Sequence, residues 1–145
     1  MKRILLLLAV LIGACAAHAR DTYSRDITTL PVAAQTIVKN NFKAGVSHIK
    51  IDKEFGRVSE YDVVLTDGSE ITFDSKGNWK EIEMRANASV PSALVPAAIT
   101  ACVKQNQKKV KIIGIEKNRS GYEVELSNGV EMKFNSEGKF IRYDN

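Results

Sequence analysis

The feature that most constrains the fold of this sequence is an internal repeat. Residues 61–68 read YDVVLTDG, and residues 122–129 read YEVELSNG. Each position of the first stretch precedes its counterpart by one constant interval, and the same interval separates Trp79 from Phe140. Similarity at a fixed period indicates that one supersecondary unit occurs twice. The sequence therefore predicts two copies of a small module.

A predicted helix precedes the repeated stretch in each copy. Leu30-Pro31 opens one apolar segment and Val95-Pro96 opens the other, and proline pre-sets the backbone of a first helical turn. Residues at Val32, Thr36 or Ile37, and Phe42 then recur at helical spacing. Leu30 and Val95 are four positions further apart than Tyr61 and Tyr122 are. The second copy is therefore four residues shorter between its helix and its first strand. A length change confined to a connection is compatible with a structural repeat.

Four strands are predicted after each helix, and the turns between them carry this prediction. Asp67-Gly68 and Asn128-Gly129 are typical of two-residue hairpin turns, in which both central residues need positive φ. Longer turns that contain glycine follow at residues 74–78 and 135–139. The predicted strands are Ser47–Glu54, Ser59–Thr66, Glu70–Asp74, Asn78–Met84, Lys111–Lys117, Gly121–Ser127, Val130–Asn135 and Lys139–Asp144.

Alternation of residue types gives each predicted sheet one apolar and one polar face. Tyr61, Val63 and Leu65 alternate with Asp62, for example. The apolar face must be buried beneath the helix, while the other face stays largely in water. We therefore expect an α+β fold of two tandem modules, each a helix packed on a four-stranded antiparallel sheet. The expected segments are a lead-in at 20–29, a first module at 30–84, a linker at 85–89 and a second module at 90–145.

The segment at positions 1–19 has the pattern of a cleavable signal peptide. A short basic start precedes an apolar run, and Ala17-His18-Ala19 fits a signal-peptidase site. The run is too short for a membrane anchor, which needs roughly 18 or more apolar residues. Alternatively, Ile12-Gly13-Ala14-Cys15 is a loose lipobox, and a lipid on Cys15 would tie the protein to a membrane. The favoured prediction is cleavage after Ala19 and a periplasmic or secreted product.

The charge balance of the mature chain argues against nucleic-acid binding. If Lys2 and Arg3 leave with the signal peptide, the 21 basic residues fall to 19 against 17 acidic residues, a net charge of +2. Both signs are interspersed along the chain, without the clustered basic patch that phosphate recognition requires. The composition is that of an ordinary water-exposed surface.

Motifs for catalysis, metals and cofactors are absent from the sequence. His48 is the only histidine after the predicted cleavage site, and no Gly-x-Ser-x-Gly elbow accompanies it. There is no Cys-x-x-Cys, no His-Glu-x-x-His, no calcium loop and no glycine-rich phosphate loop. Cys102 lies in an apolar, helix-like stretch, where a buried and unreactive thiol is expected. The sequence therefore predicts no enzyme, no metal site and no cofactor.

The polar face of the predicted sheet is the candidate binding surface. Strict alternation in the last strand of each copy directs large aromatic side chains away from the helix, and such residues often anchor protein interfaces. An alternative is that a bulge returns these aromatic residues to the core, or that they cover the seam between the modules. The candidate contact residues are Trp79, Phe140, Val64, Glu81, Glu83 and Arg142.

The repeated pattern resembles the PepSY-like proteins of Bacteroidetes, which are also described as β-lactamase-inhibitor-protein-like. The shared elements are Leu-Pro before a helix, the motif Tyr-x-Val-x-Leu-x-Asp/Asn-Gly, and Gly-x-aromatic, and they extend over residues 30–145. The resemblance implies a periplasmic or secreted protein without catalytic residues, which binds or inhibits another protein or peptide in the cell envelope through its open sheet. A small-molecule carrier or an envelope sensor is the alternative.

Overall fold

The computed structural model describes residues 21–85 and 87–144 of the 145-residue chain. The predicted signal peptide and Cys15 lie outside these residues. Short 3-10 turns at Ile27–Thr29 and Ser92–Leu94 precede the two helices. The helices are α1 Val32–Asn41 and α2 Ala97–Asn106. The strands are β1 Thr22–Ser24, β2 Val46–Glu54, β3 Arg57–Leu65, β4 Glu70–Asp74, β5 Trp79–Glu83, β6 Ile112–Asn118, β7 Gly121–Leu126, β8 Glu131–Asn135 and β9 Phe140–Asp144.

The nine strands form one sheet in chain order, and each strand is antiparallel to the next. Strands β5 and β6 pair across the middle of the chain, with Ile82 directly opposite Ile115. The predicted fold of two tandem modules, each with its own four-stranded sheet, is therefore wrong. The molecule is mostly sheet, with only two ten-residue helices among its described residues.

The reason for the single sheet is that each predicted four-stranded unit would leave an unpaired edge. Exposed backbone N–H and C=O groups at such an edge pair readily with another strand. Here the outer edge of β5 is paired with β6. Two further backbone hydrogen bonds lie at the two ends of the segment that connects these strands. Met84 N donates to Ile113 O at 2.8 Å, and Val90 N donates to Ile112 O at 2.8 Å. The two residues that flank the predicted linker at 85–89 are thus both hydrogen-bonded to the start of β6.

One face of the sheet is buried beneath both helices. A row of directly opposed residues crosses this face, and Ile49, Ile71, Ile82 and Ile115 in it are fully buried. The helices contribute buried side chains to the same core. The remaining members of the core that are buried in the helices and strands are Ala34, Val38, Tyr61, Val63, Leu65, Phe73, Ile99, Val103, Val124, Leu126, Met132 and Phe134.

The β4–β5 turn fixes the position of α1 over the sheet. Gly77 lies in this turn with φ of +88°, in the left-handed region that favours glycine. A Cβ atom at Gly77 would lie 2.8 Å from the Cβ of Pro31 and 3.0 Å from the N of Ala34. The start of the helix therefore packs directly on the turn, and the opposite face of the sheet is left without a helix.

Candidate functional site

The face of the sheet opposite the helices, which we call the open face, contains two long rows of directly opposed side chains. Successive strand pairings extend each row across the sheet, so that residues distant in sequence become neighbours. The first row is Tyr23, Lys50, Asp62, Thr72, Glu81, Glu116, Glu123, Lys133 and Arg142. The second row is His48, Val64, Glu70, Glu83, Gly114, Glu125, Glu131 and Asp144.

The open face contains a depression of about 530 Å³ in its first half. Strands β1 to β5 all contribute side chains to it, and we call it the acidic depression because five of its ten lining residues are carboxylic acids. Lysine and histidine supply one residue each. The lining residues are Tyr23, His48, Lys50, Glu60, Asp62, Val64, Glu70, Thr72, Glu81 and Glu83.

Partial burial makes two of these carboxyl groups harder to ionise. Burial raises the pKa of Asp62, and the charge of Glu60 raises it further. A hydrogen bond that Thr72 Oγ1 donates at 2.9 Å lowers the pKa by a smaller amount. Burial also raises the pKa of Glu70, and the charge of Glu83 directly opposite adds to this effect. Like charges held close together in a partly dry site attract a positive group, because it relieves their repulsion.

Two lysines compensate part of this negative charge at one end of the depression. Lys50 Nζ lies 2.7 Å from Asp52 Oδ1, and this hydrogen bond raises the pKa of Lys50. Lys80 forms an ion pair with Glu60. Oxygen atoms of Asp52, Glu60 and Asp62 lie within 4.8 Å of one another, which makes them a three-carboxylate group between β2 and β3. The carboxylates of β4 and β5 lie at the other end of the depression.

Four of the predicted contact residues lie on the open face. Glu81, Glu83 and Val64 line the acidic depression. Arg142 lies at the far end of the first row, in the last strand, where its Nη2 is 3.7 Å from Asp144 Oδ1. The structure therefore brings three of these residues together and separates the fourth from them.

Trp79 and Phe140 lie on the helix side and not on the open face, as in the alternative in which a bulge after the turn returns them toward the core. Trp79 is directly opposite the buried Phe73, and Glu81 is opposite Thr72, which leaves Lys80 as an extra residue in a β-bulge. The bulge reverses the alternation between the turn and the rest of the strand. The ring of Trp79 is half-buried, with its centroid 6.5 Å from that of Tyr122.

Phe140 occupies the corresponding position after the same kind of bulge in β9. It lies opposite the buried Phe134, and the two ring centroids are 5.9 Å apart in an edge-to-face arrangement. Phe140 also lines a groove beside Cys102 of α2, whose thiol is half-buried and unpaired with another cysteine. Trp79 therefore packs against the core, whereas Phe140 lies on the same side at its exposed margin.

Sequence reasoning missed most of the lining of the acidic depression. Lys50, Glu60 and Asp62 come from neighbouring strands and form no linear motif, so only strand register brings them together. Tyr23 belongs to a three-residue strand that the sequence pattern did not indicate, and its ring centroid lies 6.4 Å from that of His48. The signal that could have found these residues is the alternation of apolar and polar residues along each strand. Its polar positions, such as Asp62, were predicted to face away from the core.

Comparison with known proteins places this fold in a family. The model of the family described as "Putative beta-lactamase-inhibitor-like, PepSY-like" matches residues 59–142, more than half of the chain. The chain belongs to this PepSY-like family. The resemblance noted in the sequence is thereby confirmed. No curated protein matches the sequence of this PepSY-like protein.

Solved structures extend the similarity beyond the matched family segment. A "putative periplasmic protein of unknown function" from Bacteroides vulgatus is 42% identical, with a TM-score of 0.80, and the match covers 87% of this chain and all of that one. A "putative calcium-regulated periplasmic protein" from Bacteroides thetaiotaomicron is 36% identical, with a TM-score of 0.79 and coverage of 86% and 97%. A protein from B. vulgatus described as a "putative periplasmic protein from DUF2874 family" gives the same four values.

The described part of this PepSY-like protein contains no helix of sufficient length and apolar character to cross a membrane.

Proposed function

We propose that this PepSY-like protein is a non-catalytic binding protein of the periplasm, and that its acidic depression holds a positively charged segment of another protein or a peptide. The observation that carries the proposal is the set of five carboxylic acids that line one concave surface, an excess over Lys50 in the lining and Lys80, which pairs with Glu60. The protein would act by capturing or occluding its partner, without making or breaking a bond. The periplasmic descriptions of its relatives support the location.

The chemistry of the depression favours a cationic partner. A concave site lined by one sign of charge concentrates field lines and accelerates encounter with a ligand of opposite sign. A volume of about 530 Å³ accommodates two or three long side chains such as lysine or arginine. The methylene groups of those side chains would lie against Val64 and Tyr23, which are the apolar parts of the lining.

Site-specific photo-crosslinking in the producing cell envelope tests this proposal. A photoreactive amino acid replaces Thr72, at the centre of the depression, or Thr36, which is exposed on α1 on the opposite side of the sheet. We expect protein or peptide adducts from position 72 and few from position 36. Adding E70Q and E83Q should reduce the adducts at position 72. Equal labelling from both positions, or adducts from position 36 alone, would contradict the proposal.

Calcium-dependent binding is a second candidate, favoured by the three-carboxylate group of Asp52, Glu60 and Asp62. Carboxylate oxygens are the ligands that Ca²⁺ prefers, and one relative is described as calcium-regulated. Lys50 and Lys80 already neutralise two of these groups, so a Ca²⁺ ion would have to displace them. Thermal unfolding with CaCl₂ or MgCl₂ tests this candidate. A Ca²⁺-specific increase in Tm that disappears in D52N would support it, and equal curves would reject it.

A further inference from the structure

Strand β9 ends the described sheet, and it carries apolar side chains at this edge. Among residues 21–85 and 87–144, β9 pairs with β8 alone. Phe140, Ile141 and Tyr143 are exposed over 38%, 57% and 45% of their surfaces. An edge strand of this composition offers backbone groups and apolar contacts to another strand. The edge therefore has exposed apolar side chains that lie outside the acidic depression.

The first half of the molecule shows how an equivalent strand is used. The constant interval of the repeat relates β5 to β9, so that Ile82 corresponds to Tyr143 and Glu81 to Arg142. Both strands contain the same bulge after the turn. In β5 the outer edge is paired with β6, and Ile82 is fully buried. Strand β9 thus has the geometry of a strand paired on both edges, but only β8 pairs with it among the described residues.

The direction of the backbone groups follows from the same correspondence. Met84 N, one residue beyond β5, donates to Ile113 O on the side of β6. Backbone groups along a strand alternate between its two edges, so those of Ile82 point the same way. By correspondence, the N–H and C=O groups of Tyr143 point outward from β9. These groups are oriented to form backbone hydrogen bonds with a further strand beside β9.

Charge complementarity identifies the partner. If two β9 strands run antiparallel with Tyr143 opposite its own copy, Arg142 of each chain lies opposite Asp144 of the other. Both residues are on the open face, so the two ion pairs would form on the same side of the joined sheet. Directly opposed charges of opposite sign stabilise a pairing, and like charges destabilise it. We propose that a second copy of this chain pairs with β9 in this register and forms a two-fold symmetric dimer with a continuous sheet.

The opposite edge of the sheet does not offer the same surface. Strand β1 has only three residues, and Thr22 and Ser24 are small and polar. Very short edge strands are one way in which proteins prevent pairing with other chains. The proposed dimer therefore closes after two copies and leaves only β1 at each outer edge, which limits further growth.

Sedimentation velocity of the untagged protein, from about 1 μM to 1 mM, tests the proposal, because interfaces this small are weak. We expect a concentration-dependent dimer. R142D should be monomeric, because it places an aspartate opposite Asp144, and D144R should be monomeric, because it places two arginines opposite each other. An equimolar mixture of R142D and D144R should associate again, because their charges are complementary. V32K, which changes an exposed apolar residue of α1, should dimerise normally.

A second measurement is independent of these substitutions. Amide hydrogen exchange at Tyr143 should slow as the protein concentration rises, while exchange at Thr22 and Ser24 should not change. A monomer at the highest concentration, a dimer that both single variants retain, or variants that fail to associate when mixed would each overturn the proposal. Preferential capture of a different protein by β9, with the chain itself remaining monomeric, would also overturn it.

Discussion

Ile82 of β5 lies directly opposite Ile115 of β6, and both side chains are completely buried. This contact joins the two halves of the chain in one core. We therefore predict a single cooperative unfolding transition, with I82A and I115A each lowering the free energy of unfolding by about 2–5 kcal/mol. Calorimetry and urea titration monitored by two probes check the prediction. Two separated transitions would indicate independent modules.

A matched control for these substitutions is available in β9. Ile141 is 57% exposed, so I141A removes the same atoms without creating a buried cavity. We expect I141A to change the free energy of unfolding by no more than about 0.5 kcal/mol when measured on the monomer.

The β4–β5 turn offers a test of how closely α1 packs on the sheet. Gly77 and Gly129 both have left-handed backbone angles, with φ of +88° and +82°. A Cβ atom at Gly129 meets nothing within 4 Å, whereas one at Gly77 would collide with Pro31 and Ala34. We predict that G129A costs about 1 kcal/mol from backbone strain alone and that G77A costs roughly 2–4 kcal/mol. Equal losses in urea titrations would show that α1 can move away at little cost.

Trp79 is predicted to contribute to stability because it lies between the core and Tyr122 of the second half. W79A should lower the free energy of unfolding by about 2–3 kcal/mol, less than for a fully buried tryptophan. F55A provides the control, since Phe55 is completely exposed in the β2–β3 turn and its removal should have little effect. If W79A is as stable as the parent protein but loses its partner, Trp79 is a contact residue instead.

The burial of Asp62 predicts a specific pH dependence of stability. Because burial raises its pKa in the folded state, the folded chain binds this proton more tightly than the unfolded chain does. The free energy of unfolding therefore falls as pH rises between the unfolded and folded pKa values, and the penalty persists above them. D62N should stabilise the protein at neutral pH by up to about 1 kcal/mol, and the gain should fade at acidic pH. The asparagine Oδ1 can still accept the hydrogen bond from Thr72.

The control for this prediction is E54Q, in an exposed residue at the end of β2. We expect the stability of E54Q to follow the same pH profile as the parent protein. A D62N variant that is less stable than the parent protein at neutral pH would mean that the carboxylate makes a net favourable contribution to the folded state.

The strands were predictable because their signals are local. The eight predicted strands correspond to β2 to β9 within a few residues at each end. The hairpin at Asp67-Gly68 is present, but the predicted two-residue turn with two positive φ angles is wrong, because only Gly68 has positive φ, at +84°. Hydrogen bonds from Leu65 N to Ser69 O and from Gly68 N to Leu65 O enclose a three-residue loop, 66–68, with glycine at its left-handed position. Turn chemistry and alternation depend on adjacent residues, and they determine which side chains face the core.

The remaining features depend on interactions between distant residues. Pairing of β5 with β6 is a choice between strand edges, and no local pattern distinguishes it from two separate sheets. The bulge at Lys80 adds one residue without a glycine or proline at that position, so alternation alone could not decide between the open face and the bulged alternative for Trp79. The acidic depression depends on the register of five strands. For this reason the sequence indicated Glu81 and Glu83 as contact residues. It did not indicate that Asp62 and Glu70 line the same depression.

Binding of a labelled hexa-arginine peptide, measured by fluorescence anisotropy, tests the central claim about the acidic depression most directly. The key variant, E70Q/E83Q, removes two directly opposed carboxylates from the depression. The control, E125Q/E131Q, removes two directly opposed carboxylates from the second half of the same row. We predict salt-sensitive binding that weakens about tenfold in E70Q/E83Q and less than about twofold in the control. Equal loss in both variants, or no binding at low salt, would contradict the account.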